Sequence, residues 1–457
     1  MKVLLVDPPK KKWKLLGDTI MPPIGLTYLA AYLRKHEIEV SILDCIASEI
    51  KWEKLREIIE QKQPDVIGVG TPTCYVNEAI KTVKLAKEVN QNIITVLGGP
   101  HFTFTAEETL IKYPEVDYIV IGEGEITLFE LVKAIETKKE TNRIKGLAFR
   151  KENTVYKTPP RPLICNLDTL PLPAWDLLPM DKYRLVAWGN KVFMLISSRG
   201  CTFKCKFCSE REFWGGIWRP HSAQRIVNEM EHLYKRYGKN IIWFGDDTFN
   251  ISRKRNIEFC NEIIERNLNV YWGFEGRADL ILRDKDLIGK MKEAGLFWVL
   301  IGVEAASDEE LKRYGKNITI KQVKEAFKLL RDYDIVTQAM FIIGERKDTK
   351  ESIFRKVELA KELNADFAIF TPLTPLPGTQ LYEEAKKQGW LEVKDYSKYD
   401  FTHAVMSTET LTVEEVNKLV VECYKKFYLR PLKIIRGIFS RNKFRRAVNL
   451  YFFGIIM

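Results

Sequence analysis

The chain has 457 residues, more than one hydrophobic core normally serves, so two or three domains are expected. Eight cysteines over that length exclude a disulfide scaffold and suit a reducing cytoplasm, and no apolar run nears the ~20 residues that span a bilayer. Nine of the eleven net positive charges follow Glu422, which leaves a body near +2 and excludes a general nucleic-acid surface.

The N-terminus, Met1-Lys-Val-Leu-Leu-Val-Asp7, has too short an apolar run for a signal peptide, so a cytoplasmic location is expected. Residues 1–140 then alternate apolar runs with amphipathic ones. Strands are predicted at Lys2–Val6, Glu39–Leu43, Val66–Val69, Ile93–Leu97 and Tyr118–Ile121, with helices at Gly25–Arg34, Lys51–Glu60, Val76–Val89 and Ile126–Glu136. Continuously apolar strands separated by helices predict a doubly wound parallel sheet. Such sheets bind ligands past the carboxyl ends of their strands. Those ends read Asp7-Pro8-Pro9, Gly68-Val-Gly70-Thr71-Pro72-Thr73, Gly98-Gly99-Pro100-His101 and Gly122-Glu123-Gly124-Glu125. Together they predict a large flat ligand held through backbone contacts. None is G-x-G-x-x-G, which disfavours a dinucleotide.

Residues 141–185 open with a predicted hairpin, Gly146–Phe149 and Thr154–Lys157, and continue through Pro159, Pro160, Pro162, Pro171, Pro173 and Pro179. So many prolines predict a stiff connector and a domain boundary. A second βα alternation occupies 186–390. Its strands are predicted at Val192–Ser197, Ile241–Phe244, Val270–Phe274, Trp298–Val303, Val336–Ile343 and Phe367–Thr371, with five helical crossovers. Six parallel strands predict a partial (β/α)6 barrel with its chemistry at the carboxyl strand ends.

The first of those ends carries Cys201-Thr-Phe-Lys-Cys205-Lys-Phe-Cys208. Three thiolates spaced C-x3-C-x2-C make a soft-metal site. Structural zinc wants four ligands, and the nearest other candidate is His221. A [4Fe–4S] cluster with three protein ligands leaves one iron open to a cofactor. The remaining ends carry Gly245-Asp246-Asp247, Gly276-Arg277, Glu304 with Ser307, and Gly344-Glu345-Arg346. Carboxylates can take an amine or a ribose diol and an arginine can take a carboxylate, so the rim fits a zwitterionic, ribose-containing ligand.

The cysteine spacing, with the aromatic Phe207 before the last cysteine, resembles the cluster motif of the radical S-adenosylmethionine (SAM) superfamily. There the open iron chelates SAM, which is cleaved to a 5′-deoxyadenosyl radical that abstracts hydrogen from the substrate. The resemblance implies SAM contacts at Phe207, Gly245, Asp246, Asp247, Arg277, Glu304 and Ser307. The N-terminal half, with Met21-Pro-Pro-Ile-Gly25 after its first strand, resembles the cobalamin-binding domain that precedes many radical SAM domains. Its implied contacts are Gly70, Thr71, Thr73, Gly98, Gly99, Glu123 and Gly124. The D-x-H-x-x-G loop that supplies a cobalt ligand elsewhere is absent, so cobalamin without a histidine on cobalt is expected. The resembled group holds methylases and the anaerobic magnesium-protoporphyrin ester cyclase. Cobalamin-dependent methylation of an unactivated carbon of a small or lipid-like molecule is the expectation, with ferredoxin or flavodoxin as electron donor. A ring-forming or oxidative reaction is the alternative, and a non-enzymatic sensor of cobalamin or iron a distant one.

Residues 391–457 are expected to be helical. From Lys425 the chain mixes nine basic residues with Phe427, Leu432, Ile435, Phe439 and Phe444 and ends Leu450-Tyr-Phe-Phe-Gly-Ile-Ile-Met457, with no acid. Two readings stand: the apolar face packs on the barrel, or the stretch lies on an anionic inner membrane surface.

Overall fold

The structure is a computed structural model that describes residues 1–11, 19–152, 154–185, 188–189 and 191–456, with side chains as far as Tyr451. It divides into two compact units, with the main break between Tyr183 and Arg184. Of the terminal run Leu450 to Met457, the residues from Phe452 on contribute no described side chain.

In the first unit β1 (Lys2–Asp7), β2 (Glu39–Asp44), β3 (Val66–Gly70), β4 (Ile94–Gly98) and β5 (Tyr118–Val120) form a parallel sheet in the order β2-β1-β3-β4-β5. The period of two sorts their side chains into two cores. Leu4, Val6, Ile67 and Val69 pack with the helices Trp52–Lys62, Val76–Val89 and Pro100–Lys112. Val3, Leu5 and Val66 pack with Ile24–Lys35 and Glu125–Glu136 on the opposite face. The predicted hairpin is β6 (Leu147–Lys151) and β7 (Thr154–Lys157), added antiparallel beyond β5.

The proline-rich stretch does not hang free as a spacer. Leu167, Leu170 and Trp175 are buried, Ala174 N donates to Thr27 O at 3.1 Å, and Tyr183 is buried with its hydroxyl on Asp44 at 2.7 Å. Each proline lacks a backbone N–H, so fewer donors need partners where the segment lies on the first unit.

The second unit starts with β8 (Val192–Leu195). A two-residue ribbon follows, β9 (Ser198–Arg199) with β10 (Arg219–Pro220). Then come β11 (Ile241–Phe244), β12 (Tyr271–Gly276), β13 (Leu296–Glu304), β14 (Val336–Ile343) and β15 (Phe367–Pro372). The six long strands are parallel in the order β8-β11-β12-β13-β14-β15, a curled half-barrel. Phe244, Trp272 and Phe274 pack with Phe249 and with Phe259 of the helix Arg253–Glu265, so alternate residues such as Trp243, Gly273 and Glu275 line the other face. There Trp243 and Trp298 lie 4.1 Å apart, in space a Cβ at Gly273 would fill. Of the five predicted crossovers, the one between β12 and β13 is two short helices, Ala278–Arg283 and Ile288–Glu293.

The C-terminal region is helical. Val413–Tyr428 lies on β15, with Phe427 buried and the Tyr424 and Tyr428 hydroxyls accepting from Phe370 N and Ala368 N. The tail helices Pro431–Ile438 and Lys443–Ile456 cover the starts of the strands. Phe444 packs 4.0 Å from Phe297, and Arg445 pairs at 2.8 Å with Asp366, which precedes β15. Part of the tail's apolar surface therefore packs on the barrel.

Candidate functional site

The cysteine loop leaves the carboxyl end of β8 and is clamped from three sides. Buried Asp246 accepts from Ser197 N at 2.6 Å and from the Ser197 and Ser198 hydroxyls at 2.5 Å. Buried Arg255 reaches the Ser197 carbonyl at 3.0 Å and balances that carboxylate. Asp247 accepts from Gly200 N at 3.0 Å, at the φ of +90° that begins the loop. From below, Lys206 N donates to Tyr314 O at 3.0 Å and Phe207 meets the Tyr314 ring edge-on. Gly315, at φ +72°, lies so close that a Cβ would sit 2.6 Å from the Lys204 carbonyl. Leu381 N donates to Lys206 O at 3.1 Å.

Cys201, Cys205 and Cys208 are each half-buried on this one loop, with Cys201 Sγ 3.6 Å from the Thr248 hydroxyl. Burial pushes the Cys208 thiol well up, helped by Glu210. Burial also raises Cys205, against the opposing pull of Lys316 and Arg277. Thiols so placed hold their protons until a metal displaces them. Among the described residues no three potential ligands close on a single ion. Three thiols from one loop beside cationic groups fit three irons of a four-iron cluster better than a structural zinc ion, which takes four ligands.

Arg277 and Glu304 stand at the ends of β12 and β13, beside this loop. Arg277 is buried, its guanidinium 3.6 Å from the ring centre of Phe203 and paired with Asp279 at 3.0 Å. Glu304 takes φ +65° where the register of β13 against β14 slips between Gly302 and Glu304. Such bulges re-aim a side chain, and a left-handed glutamate is strained. Its carboxylate reaches buried Lys316 at 2.8 Å, across space that a Cβ on Gly302 would fill at 2.4 Å. Glu275, inward-facing on β12, has its carboxyl pushed up to about 7 by burial and then by Glu304. Asp247 is raised to about 9 by burial and by Glu210.

The structure thus gathers Cys201, Cys205, Cys208, Asp247, Arg277 and Glu304 at one mouth. Asp246 serves the loop scaffold instead. The side chain of Ser307 closes a capping box on the helix Asp308–Arg313. Gly245 abuts Met194, since a Cβ would lie 3.0 Å from its sulfur. Lys316, Phe203 and Glu275 were not read from the sequence. Only Glu275 left a signal there, two residues before Arg277 and hence on the same strand face.

In the first unit Gly70 and Gly98 are register partners at the ends of β3 and β4. Gly99, at φ +94°, has its Cα direction filled by the Thr71 backbone, 3.2 Å from where a Cβ would lie. The buried Thr71 hydroxyl has no hydrogen-bond partner among the described residues, and it borders this glycine platform. The Thr73 hydroxyl lies 3.3 Å from His101 Nδ1, and burial lowers the imidazole to about 4. An orphaned hydroxyl beside side-chain-free backbone fits a flat ligand such as a corrin. Glu123 and Gly124 are engaged otherwise: Glu123 accepts from Ile164 N at 2.7 Å, and Gly124 faces Leu29.

Comparison with known proteins agrees with both halves. Residues 17–132 match the B12 binding domain family and residues 195–357 the radical SAM superfamily. The chain is 38% identical over 452 residues to a Pyrococcus horikoshii protein named uncharacterized methyltransferase PH0819, covering 98% of this chain and 97% of that one. The chain belongs to the B12-binding radical SAM methyltransferase family. This radical SAM protein is also 34% identical to the anaerobic magnesium-protoporphyrin IX monomethyl ester cyclase of Rubrivivax gelatinosus, over 93% of its own length and 77% of the cyclase. Its fold is that of the solved radical SAM methyltransferase TsrM of Kitasatospora setae, with cobalamin and a [4Fe-4S] cluster bound. The TM-score is 0.75 at 18% identity, covering 99% of each chain. This radical SAM protein is therefore an enzyme whose cofactors are a [4Fe–4S] cluster, SAM and cobalamin. Among the described residues no helix is long and apolar enough to cross a membrane.

Proposed function

We propose that this enzyme transfers a methyl group to an unactivated carbon of a small or lipid-like molecule. The observation that carries the reading is the three-cysteine loop held over Arg277 and Glu304 in a chain that also has a glycine platform for a corrin. When bound, the cluster and SAM supply a carbon-centred radical and cobalamin supplies a methyl group. The protein's part is to place them. Cys201, Cys205 and Cys208 would hold three irons. Arg277 would face the SAM carboxylate and Glu304, with Lys316 behind it, a ribose hydroxyl. Asp247 and Glu275, as carboxyls that retain protons, can donate hydrogen bonds near neutral pH. Gly70, Thr71, Gly98 and Gly99 would support the corrin face, and His101, neutral and held by Thr73, is not needed on cobalt. A cytoplasmic location with ferredoxin or flavodoxin as reductant belongs to the same reading.

The test is anaerobic incubation of reconstituted protein with dithionite, cobalamin, SAM carrying a deuterated methyl, and a metabolite extract. A product bearing the deuterated methyl is expected, together with 5′-deoxyadenosine, and both should vanish in Cys205→Ala. 5′-Deoxyadenosine without any labelled product would turn the assignment to the ring-forming reaction named for the Rubrivivax relative.

A further inference from the structure

Of the eleven large apolar side chains that stand exposed among the described residues, six lie between residues 421 and 450, a concentration that chance scatter over this length does not produce. Leu432, Ile435 and Phe439 are 74%, 48% and 81% exposed. Their spacing of three and four puts them in one stripe along the helix Pro431–Ile438 and the residue after it. The opposite face of that helix is committed. Lys433 reaches the Ala365 carbonyl, and Gly437 is buried so tightly on Asn449 that a Cβ would overlap it at 2.1 Å. The stripe is therefore held outward by the fold rather than left over from a loose tail.

Charge decides what it meets. Arg436 on the same helix, and Arg441 and Arg446 after it in the chain, are exposed and form no ion pair among the described residues. No acidic residue follows Glu422. A two-fold contact with a second copy would set this cationic patch against itself. An anionic lipid surface satisfies both halves of the pattern, apolar chains taking the stripe and headgroups the arginines. We infer that the stripe Leu432–Ile435–Phe439 and these arginines dock the enzyme peripherally on an anionic membrane. The tail covers the starts of the strands, while the cysteine loop lies at their ends. Docking thus turns the barrel mouth away from the lipid, which separates this surface from any question of how substrate enters.

The experiment is flotation of the full-length protein with phosphatidylcholine vesicles and with vesicles containing phosphatidylglycerol, at low and high salt. At least tenfold more protein should float with the anionic vesicles at low salt than with neutral ones, and high salt should reduce it. Leu432→Ser/Ile435→Ser/Phe439→Ser and, separately, Arg436→Gln/Arg441→Gln/Arg446→Gln should each lose at least tenfold of that binding with an unchanged melting temperature. Wild-type protein that floats equally with both vesicles or with neither overturns the inference, as do variants that float like wild type. A dimer by light scattering that the serine variant dissolves, without vesicle binding, overturns it in favour of self-association.

Discussion

Lys316 sets the charge balance of the barrel mouth, since it is the buried cation facing Glu304 and a neighbour of Cys205 and Glu275. Removing one partner of a buried pair leaves the other charged and unsolvated, at a cost of about 3 kcal/mol. Lys316→Met is expected to lower the stability of the metal-free protein by that order, measured by urea unfolding. The double variant Glu304→Gln/Lys316→Met should recover much of the loss. Asp44 gives a pH-dependent counterpart in the first unit. Burial and then Asp7 raise its carboxyl from 3.8 to about 6, although it accepts from Ala47 N and Tyr183. The folded state therefore holds the proton more tightly than the unfolded one. Its stabilising contribution is complete below pH 3.8 and is lost as pH rises through about 6. Relative to wild type, Asp44→Asn should gain stability across that window, on the order of 3 kcal/mol, and hold it at neutral pH. Parallel unfolding curves for the two proteins at pH 4.5 and 7 would contradict this.

At the scale of elements, the cysteine loop is shaped mostly from outside itself. Its backbone rests on the turn after the helix Asp308–Arg313, where Gly315 takes φ +72° within contact of Lys204. Alanine there meets both a left-handed backbone, costing about 1–2 kcal/mol, and the Lys204 carbonyl. Gly315→Ala is expected to shift the loop and to reduce iron bound after reconstitution by more than half. Far-ultraviolet circular dichroism should stay unchanged. Full iron content in that variant would mean that the loop sets its own geometry. The bulge on β13 works in the same way, because the left-handed Glu304 points toward Lys316 only while Gly302 leaves the space open.

At the scale of the molecule, the tail closes the second unit. Phe444 is buried among Phe297, Tyr271 and Trp188, and Arg445 ties the last helix to Asp334 and Asp366. Phe444→Ala should cost about 3 kcal/mol, read as an earlier melting transition of the whole second unit. A chain stopped after Glu422 would lose the buried Phe427 and the Tyr424 and Tyr428 hydrogen bonds to β15 as well, so truncation tests the fold and not the outward stripe.

Local pattern was enough to find both parallel sheets, because strands buried on both faces must be continuously apolar and their crossovers amphipathic. It was also enough to single out the three cysteines, whose chemistry is carried by spacing within eight residues. Arg277 and Glu304 were legible as strand-end residues, since a parallel sheet gathers its carboxyl ends on one rim. What sequence could not supply is pairing across distance. Lys316 lies twelve residues beyond Glu304 with no periodic relation to it, and only the bulge at Gly302 brings the two charges together. The proline-rich stretch reads as a spacer because proline stiffens a chain, yet stiffness is equally compatible with lying on a surface, and buried Trp175 and Tyr183 decide for the latter. The tail divides likewise. Its helical spacing predicts one apolar face, but Phe444 and Val448 pack inward while Leu432, Ile435 and Phe439 face out. Pro431 begins a second helix, and the angle at which two helices meet is set by close packing at Gly437 on Asn449, which only the folded chain contains.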